Sequence, residues 1–126
     1  MEKDLKKIYG APNCPVRNVL DRIGDKWSIL VILLLGEHDT LRFGELDRLI
    51  VTISQKMLTV TLKTLEADGL IERKSFGSVP PKVEYSLTSL GKSIIPPVTM
   101  LASWAESNMP EILASRAKYV KNSLKV

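Results

Sequence analysis

The stretch Ser54-Gln-Lys-Met-Leu-Thr-Val-Thr-Leu-Lys-Thr-Leu-Glu-Ala-Asp-Gly-Leu-Ile-Glu-Arg-Lys74, followed by a segment broken by glycine and proline, decides the fold. Ser54 is a favoured helix N-cap, and Leu58, Leu62 and Leu65 recur at i, i+4 and i+7, the spacing of one buried helical stripe. Gly69 supplies the stop. That phase leaves Gln55, Lys56, Thr59, Val60 and Lys63 on the opposite, solvent side. The acids Glu66 and Asp68 wait for the C-terminal turn, so two turns of the exposed face carry no negative charge. Residues 70–76 and 82–87 then alternate as two strands, joined by Gly77-Ser-Val-Pro-Pro81. A lone hairpin is marginally stable in water, so this one must lie against the helices. Arg73, Lys74 and Lys82 crowd it.

Working outward, Pro15 suits a first helical turn, and Val16, Val19, Leu20 and Ile23 follow at helical spacing until Gly24. Asp25 is placed to cap a second helix over about 26–35, ending at Gly36, whose near-continuous apolar run Ile29–Leu35 with Trp27 forms the core. Glu37-His-Asp-Thr40 reads as a turn. Phe43, Leu46, Leu49 and Ile50 mark a third helix, and Val51-Thr-Ile53 separates it from the fourth. After the hairpin a fifth helix starts at Thr88 or Ser89, Pro96-Pro97 kink or break it, and a sixth follows Pro110. The sum is a mainly α fold with a small β-hairpin: one winged helix-turn-helix unit with N- and C-terminal dimerisation helices. Leu101, Trp104, Val98, Ile112 and Leu113 lie in terminal helices that a domain of this size leaves uncovered, which favours a two-fold partner over burial on the Ile29–Leu35 helix.

Composition narrows the function. With 126 residues the chain is one domain, and 18 Lys+Arg against 14 Asp+Glu favour a polyanionic partner. The longest apolar run is well short of the ~20 residues a spanning helix needs. The N-terminus has no pattern of a secretory signal, so a cytoplasmic protein without membrane contact is expected. Cys14 is the single cysteine and His38 the single histidine, which leaves no internal disulfide and too few soft ligands for zinc. No paired carboxylates, phosphate-cradling glycine loop or nucleophile elbow accompanies them. Neither a catalytic site, a metal nor a cofactor is expected.

A helix-turn-helix reads duplex DNA by placing the N-terminal part of its second helix in the major groove. Gln55 has the paired donor and acceptor that match adenine, Lys56 and Lys63 can donate to guanine or phosphate, and Thr59 or Val60 can pack on a thymine methyl. Ser54 stands at the helix N-terminus, where phosphate is favoured. Arg42, just before the third helix, is placed for a phosphate, and Arg73, Lys74 and Lys82 flank a turn that would lie along the neighbouring minor groove or backbone. Any one of these lysines alone is more simply a solvated side chain; the acid-free helix face followed by a basic hairpin is what points to DNA. The other class that fits is a winged helix used only for protein interaction.

The chain also resembles a known family, the HxlR-type winged helix-turn-helix regulators, similar in fold to the MarR group. The resemblance rests on Cys14-Pro-Val16, Gly24-Asp-Lys-Trp27, Leu41-Arg-Phe43, Ile53-Ser-Gln-Lys-Met-Leu58, Leu65-Glu-Ala-Asp-Gly-Leu70, Val79-Pro-Pro-Lys-Val-Glu-Tyr-Ser-Leu-Thr88 and Leu90-Gly91. It implies a bacterial homodimer, a roughly palindromic operator and control of transcription, more often repression. It places the domain at 14–108, after an N-terminal extension of 1–13 and before a C-terminal dimerisation helix and basic tail at 109–126. In several similar members a cysteine at the position of Cys14 senses electrophiles or oxidants. A thiol beside a helix start with Arg17 and Lys7 nearby fits that role, and a small packing residue beside Pro15 fits the same position.

Overall fold

The computed structural model describes residues 14–124; the 1–13 extension with Lys7, and Lys125 of the tail, lie outside the described residues. The chain divides into two compact units, Met1–Ile95 and Pro96–Val126. The first holds α1 (Pro15–Ile23), α2 (Ser28–His38), β1 (Thr40–Arg42), α3 (Phe43–Leu49), α4 (Gln55–Ala67), β2 (Ile71–Phe76), β3 (Lys82–Leu87) and α5 (Ser89–Ser93). One helix, α6 (Ile95–Leu124), begins at its last residue and forms the second.

Local chemistry sets most of these limits. Pro15 occupies the first turn of α1, and the Gly24 N–H closes the helix on the Leu20 carbonyl at 2.7 Å. The next helix starts at Ser28, two residues later than read, with Trp27 and not Asp25 in the N-cap position; the Asp25 carboxylate still serves its start, accepting from the backbone N–H of Trp27 and Ser28 and from the Ser28 hydroxyl, at 2.8, 2.7 and 2.9 Å. Where α2 ends differs from the sequence reading. It runs through Gly36 to His38 and stops at Asp39, which turns the chain with a φ of 50°. Gly36 is a packing glycine instead, since a Cβ there would stand 3.0 Å from Cδ1 of Ile95.

The expected turn before α3 also conceals a strand. β1 pairs antiparallel with β3, Leu41 opposite Tyr85, and gives a three-stranded sheet in the order β1-β3-β2. Three residues are too few for alternation to show; the partner strand creates the element. The hairpin itself is as read, with Ile71 opposite Leu87 and Phe76 opposite Lys82.

The core is one cluster in which Val31, Ile32 and Leu35 of α2, Leu46 of α3, the α4 stripe Leu58, Leu62 and Leu65, and Ile71 and Leu87 of the sheet are all buried. Of the apolar spacing on α1, only Ile23 joins it; Val16, Val19 and Leu20 are exposed. At the far end of α4, Gly69 takes a φ of 74° and Leu70 N–H reaches back to the Leu65 carbonyl at 3.0 Å. Thr88 caps α5 by accepting from the Gly91 N–H at 3.0 Å.

The C-terminal reading holds at one proline site and needs correction at the other. The break expected near Pro96-Pro97 is present: α5 ends at Ser93 and α6 starts at Ile95, so both prolines stand in the first turn of the new helix, where a missing N–H costs nothing. Pro110 does not start a sixth helix after a break but lies inside the 30-residue α6. A proline removes one donor and crowds one carbonyl, and the helix-forming stretches on both sides carry the helix past it.

Candidate nucleic-acid interface

The helix-turn-helix is α3 and α4 with the turn between them. Glu45 accepts from the Arg42 N–H at 2.9 Å and fixes the start of α3, leaving the Arg42 side chain exposed. The Ile50 N–H closes α3 on Leu46 at 2.9 Å, and Ile53 is buried beneath the turn. Ser54 then accepts from the Met57 N–H at 3.0 Å, so its oxygen is committed to the cap while its O–H stays free to donate.

The solvent face of α4 is the one the leucine spacing requires. Gln55, Lys56 and Lys63 are exposed and Val60 is half exposed, whereas Thr59 is half-buried and gives its hydroxyl proton to the Gln55 carbonyl at 2.9 Å. Thr59 therefore offers an outside partner its methyl group and its lone pairs, not a donor. No acid stands in the first turn. Met57, passed over in the sequence reading, is exposed in that turn as well. A helical wheel centred on Lys56 and Val60 contains it.

The basic hairpin is divided by its own pleat. Successive side chains of a strand face opposite sides, so Arg73 and Lys74 separate although they are neighbours in sequence. The ammonium groups of Lys74 and Lys82 both lie over the Phe76 ring, 5.8 and 5.2 Å from its centre, and Lys82 is paired with Glu84 at 3.0 Å. Arg73 is opposite Tyr85 and faces the cavity beside α4. The three bases thus form two sites, and the charge of Lys82 is offset within the strand. The turn carries Val79, almost wholly exposed, with no charge at its tip.

A further ion pair joins the ends of α1 and α4. Arg22 Nε donates to Asp68 Oδ2 at 2.7 Å, and this hydrogen bond and the charge of Asp68 hold the guanidinium above its ordinary range. Cys14 is a free thiol at the N-cap position of α1 and is 1% exposed. Among the described residues no group of His, Cys, Asp and Glu side chains could hold a metal ion, and no helix is long and apolar enough to cross a membrane.

Two helices joined by a tight turn, the second with an acid-free polar face, and a basic hairpin beside them define a DNA-binding winged helix-turn-helix protein. A sequence profile of HxlR-like helix-turn-helix proteins matches residues 22–113. The chain is 45% identical over 106 residues to an uncharacterised HTH-type transcriptional regulator, YtfH, of Escherichia coli K12, across 84% of this chain and 83% of that protein. The solved structure of YtfH from Salmonella typhimurium superposes with a TM-score of 0.76 at 43% identity, covering 85% of this chain and 95% of that one. The redox regulator HypR in its reduced form superposes at 0.73 with 42% identity, covering 80% and 98%. The chain belongs to the HxlR-like helix-turn-helix family; it is a transcriptional regulator and not an enzyme.

Proposed function

We propose that the protein acts as a homodimer that binds a roughly palindromic operator sequence-specifically and represses transcription. The observation that carries this is the exposed, acid-free face of α4, Gln55, Lys56, Val60 and Lys63, set beside the basic hairpin. In this reading Gln55 and Lys56 read base edges, Thr59 and Val60 contact thymine methyls, and Ser54, Arg42, Lys63, Arg73, Lys74 and Lys82 hold the backbone. Two half-sites one helical turn apart require two copies of α4 at matching distance. Apolar surface for a second copy exists in each unit: Val16, Val19 and Leu20 on α1, and Leu101, Trp104 and Leu113 on α6.

Selection of duplexes from a randomised pool by the purified protein tests the reading. Enrichment of two inverted half-sites, with affinity that falls steeply as salt rises, is the expected result. Retention of no duplex at low salt would leave the protein-interaction module as the function.

The response we propose is to oxidants or electrophiles through Cys14. What supports it is likeness to proteins solved in two redox conditions: HypR reduced and oxidised, and YodB of Bacillus subtilis reduced and diamide-treated. Burial opposes reaction of a thiol, so modification of Cys14 requires the start of α1 to open. Operator affinity of wild type and Cys14→Ser, with and without a quinone or hypochlorite, decides the point. Loss of affinity in the wild type alone is expected; an equal response in the variant removes Cys14 from the mechanism.

A further inference from the structure

Between α4 and the hairpin lies a cavity of about 350 Å³, floored by Phe43 and Leu62 and walled by Lys63, Glu66, Arg73 and Tyr85. Tyr85 is nine-tenths buried, and its hydroxyl has no hydrogen-bond partner among the described residues. No fully buried side-chain polar atom among them lacks a partner, so this hydroxyl keeps some exposure, and Tyr85 is one of the residues that line the cavity. Lys63 and Arg73 take part in no ion pair among the described residues. Thr59, also at the rim, has spent its proton on Gln55. Three unspent donors, one each from α4, β2 and β3, therefore line one space with an apolar floor.

We propose that this cavity seats one phosphodiester of the DNA strand, with Lys63 and Arg73 as its charge partners and the Tyr85 hydroxyl as a third donor. The inference rests on the DNA-binding reading above. If α4 occupies one groove and the hairpin reaches the neighbouring one, the phosphate ridge dividing the two grooves has to cross what lies between them, which is this cavity. The charge fits as well. Two cations less the Glu66 carboxylate leave one net positive charge, the match for a phosphodiester rather than for free phosphate, which carries about −1.5 to −2 at neutral pH. Lys63 is then a backbone contact and not a base reader, and Glu66 limits how tightly any duplex is held.

The test uses the full chain and two duplexes, one selected and one scrambled. Lys63→Ala and Arg73→Ala are expected to weaken both by the same factor, roughly tenfold, and each to lower the salt slope by about one. Tyr85→Phe keeps the packed ring and should weaken both about threefold without changing the slope. Glu66→Gln should tighten both. A neutral methylphosphonate walked along the selected duplex should have one position that costs the wild type about tenfold or more and costs both Arg73→Ala and Lys63→Ala clearly less. A change of base preference in Lys63→Ala, or a walk in which no position costs both variants less than the wild type, overturns the seat and leaves operator binding standing. Displacement of DNA by inorganic phosphate beyond a chloride control of equal ionic strength also overturns it, because the site would then serve a free anion. If the wild type binds neither duplex, the reading beneath it falls and the seat falls with it.

Discussion

Side chains adjacent in sequence can have opposite duties here, and substitution separates them. Gln55→Ala or Lys56→Ala should cost about 1 to 3 kcal/mol on the selected operator and less on scrambled DNA, because a lost base contact removes discrimination. Lys82→Ala should weaken all duplexes by one small factor, and by less than Arg73→Ala, since Glu84 already offsets the Lys82 charge at 3.0 Å. Titrating the four variants against both duplexes checks this, and equal effects of Lys82→Ala and Gln55→Ala would remove the division of roles. Two glycines show what single positions reveal to a reader of the sequence. Gly69 follows a helical stripe and takes a φ of 74° with open space around its missing Cβ, so Gly69→Ala should cost about 1 kcal/mol of backbone strain. Gly91 sits inside a helix, and a Cβ there would stand 2.0 Å from the Leu70 carbonyl oxygen. Gly91→Ala should therefore cost about 2 kcal/mol or more, and paired calorimetric melts of the two variants rank them. The first glycine was legible from its neighbours; the second answers to a carbonyl 21 positions away.

At the scale of elements, those specified by their own residues were legible and those specified by a partner were not. α4 is announced by its cap and its leucine phase, and α1 by Pro15 and Gly24. β1 exists because β3 offers it a ladder, and the close packing of Ile95 over Gly36, inside α2, joins residues 59 positions apart. Periodicity cannot express either fact. The start of α2 hangs on Asp25, whose carboxylate takes three hydrogen bonds, so Asp25→Ala should cost about 1 to 2 kcal/mol in urea denaturation. Arg22→Ala, which removes an exposed pair between α1 and α4, should cost less than Asp25→Ala in the same experiment.

For the whole molecule the open question is the second copy. Exposed apolar residues on α1 and α6 predict that Leu20→Glu with Trp104→Glu yields a folded monomer with weakened operator binding, measured by sedimentation and by titration. A wild-type protein that sediments as a monomer while binding its operator at full strength would remove the dimer from the mechanism. The candidate site was legible to a similar degree: ten candidate residues are nameable from helical phase and charge, but their sorting is not. The local sequence determined which helices form, which face of α4 stays wet, where the hairpin turns and what kind of partner suits that surface, because caps, periods and turn residues act over a few positions. Only the tertiary structure decided that Arg73 faces a cavity beside α4, that Tyr85 lines the same cavity while nine-tenths buried, and that a third strand completes the sheet. Those outcomes depend on atoms brought together across long sequence separations, and one chain read in isolation carries no measure of that distance.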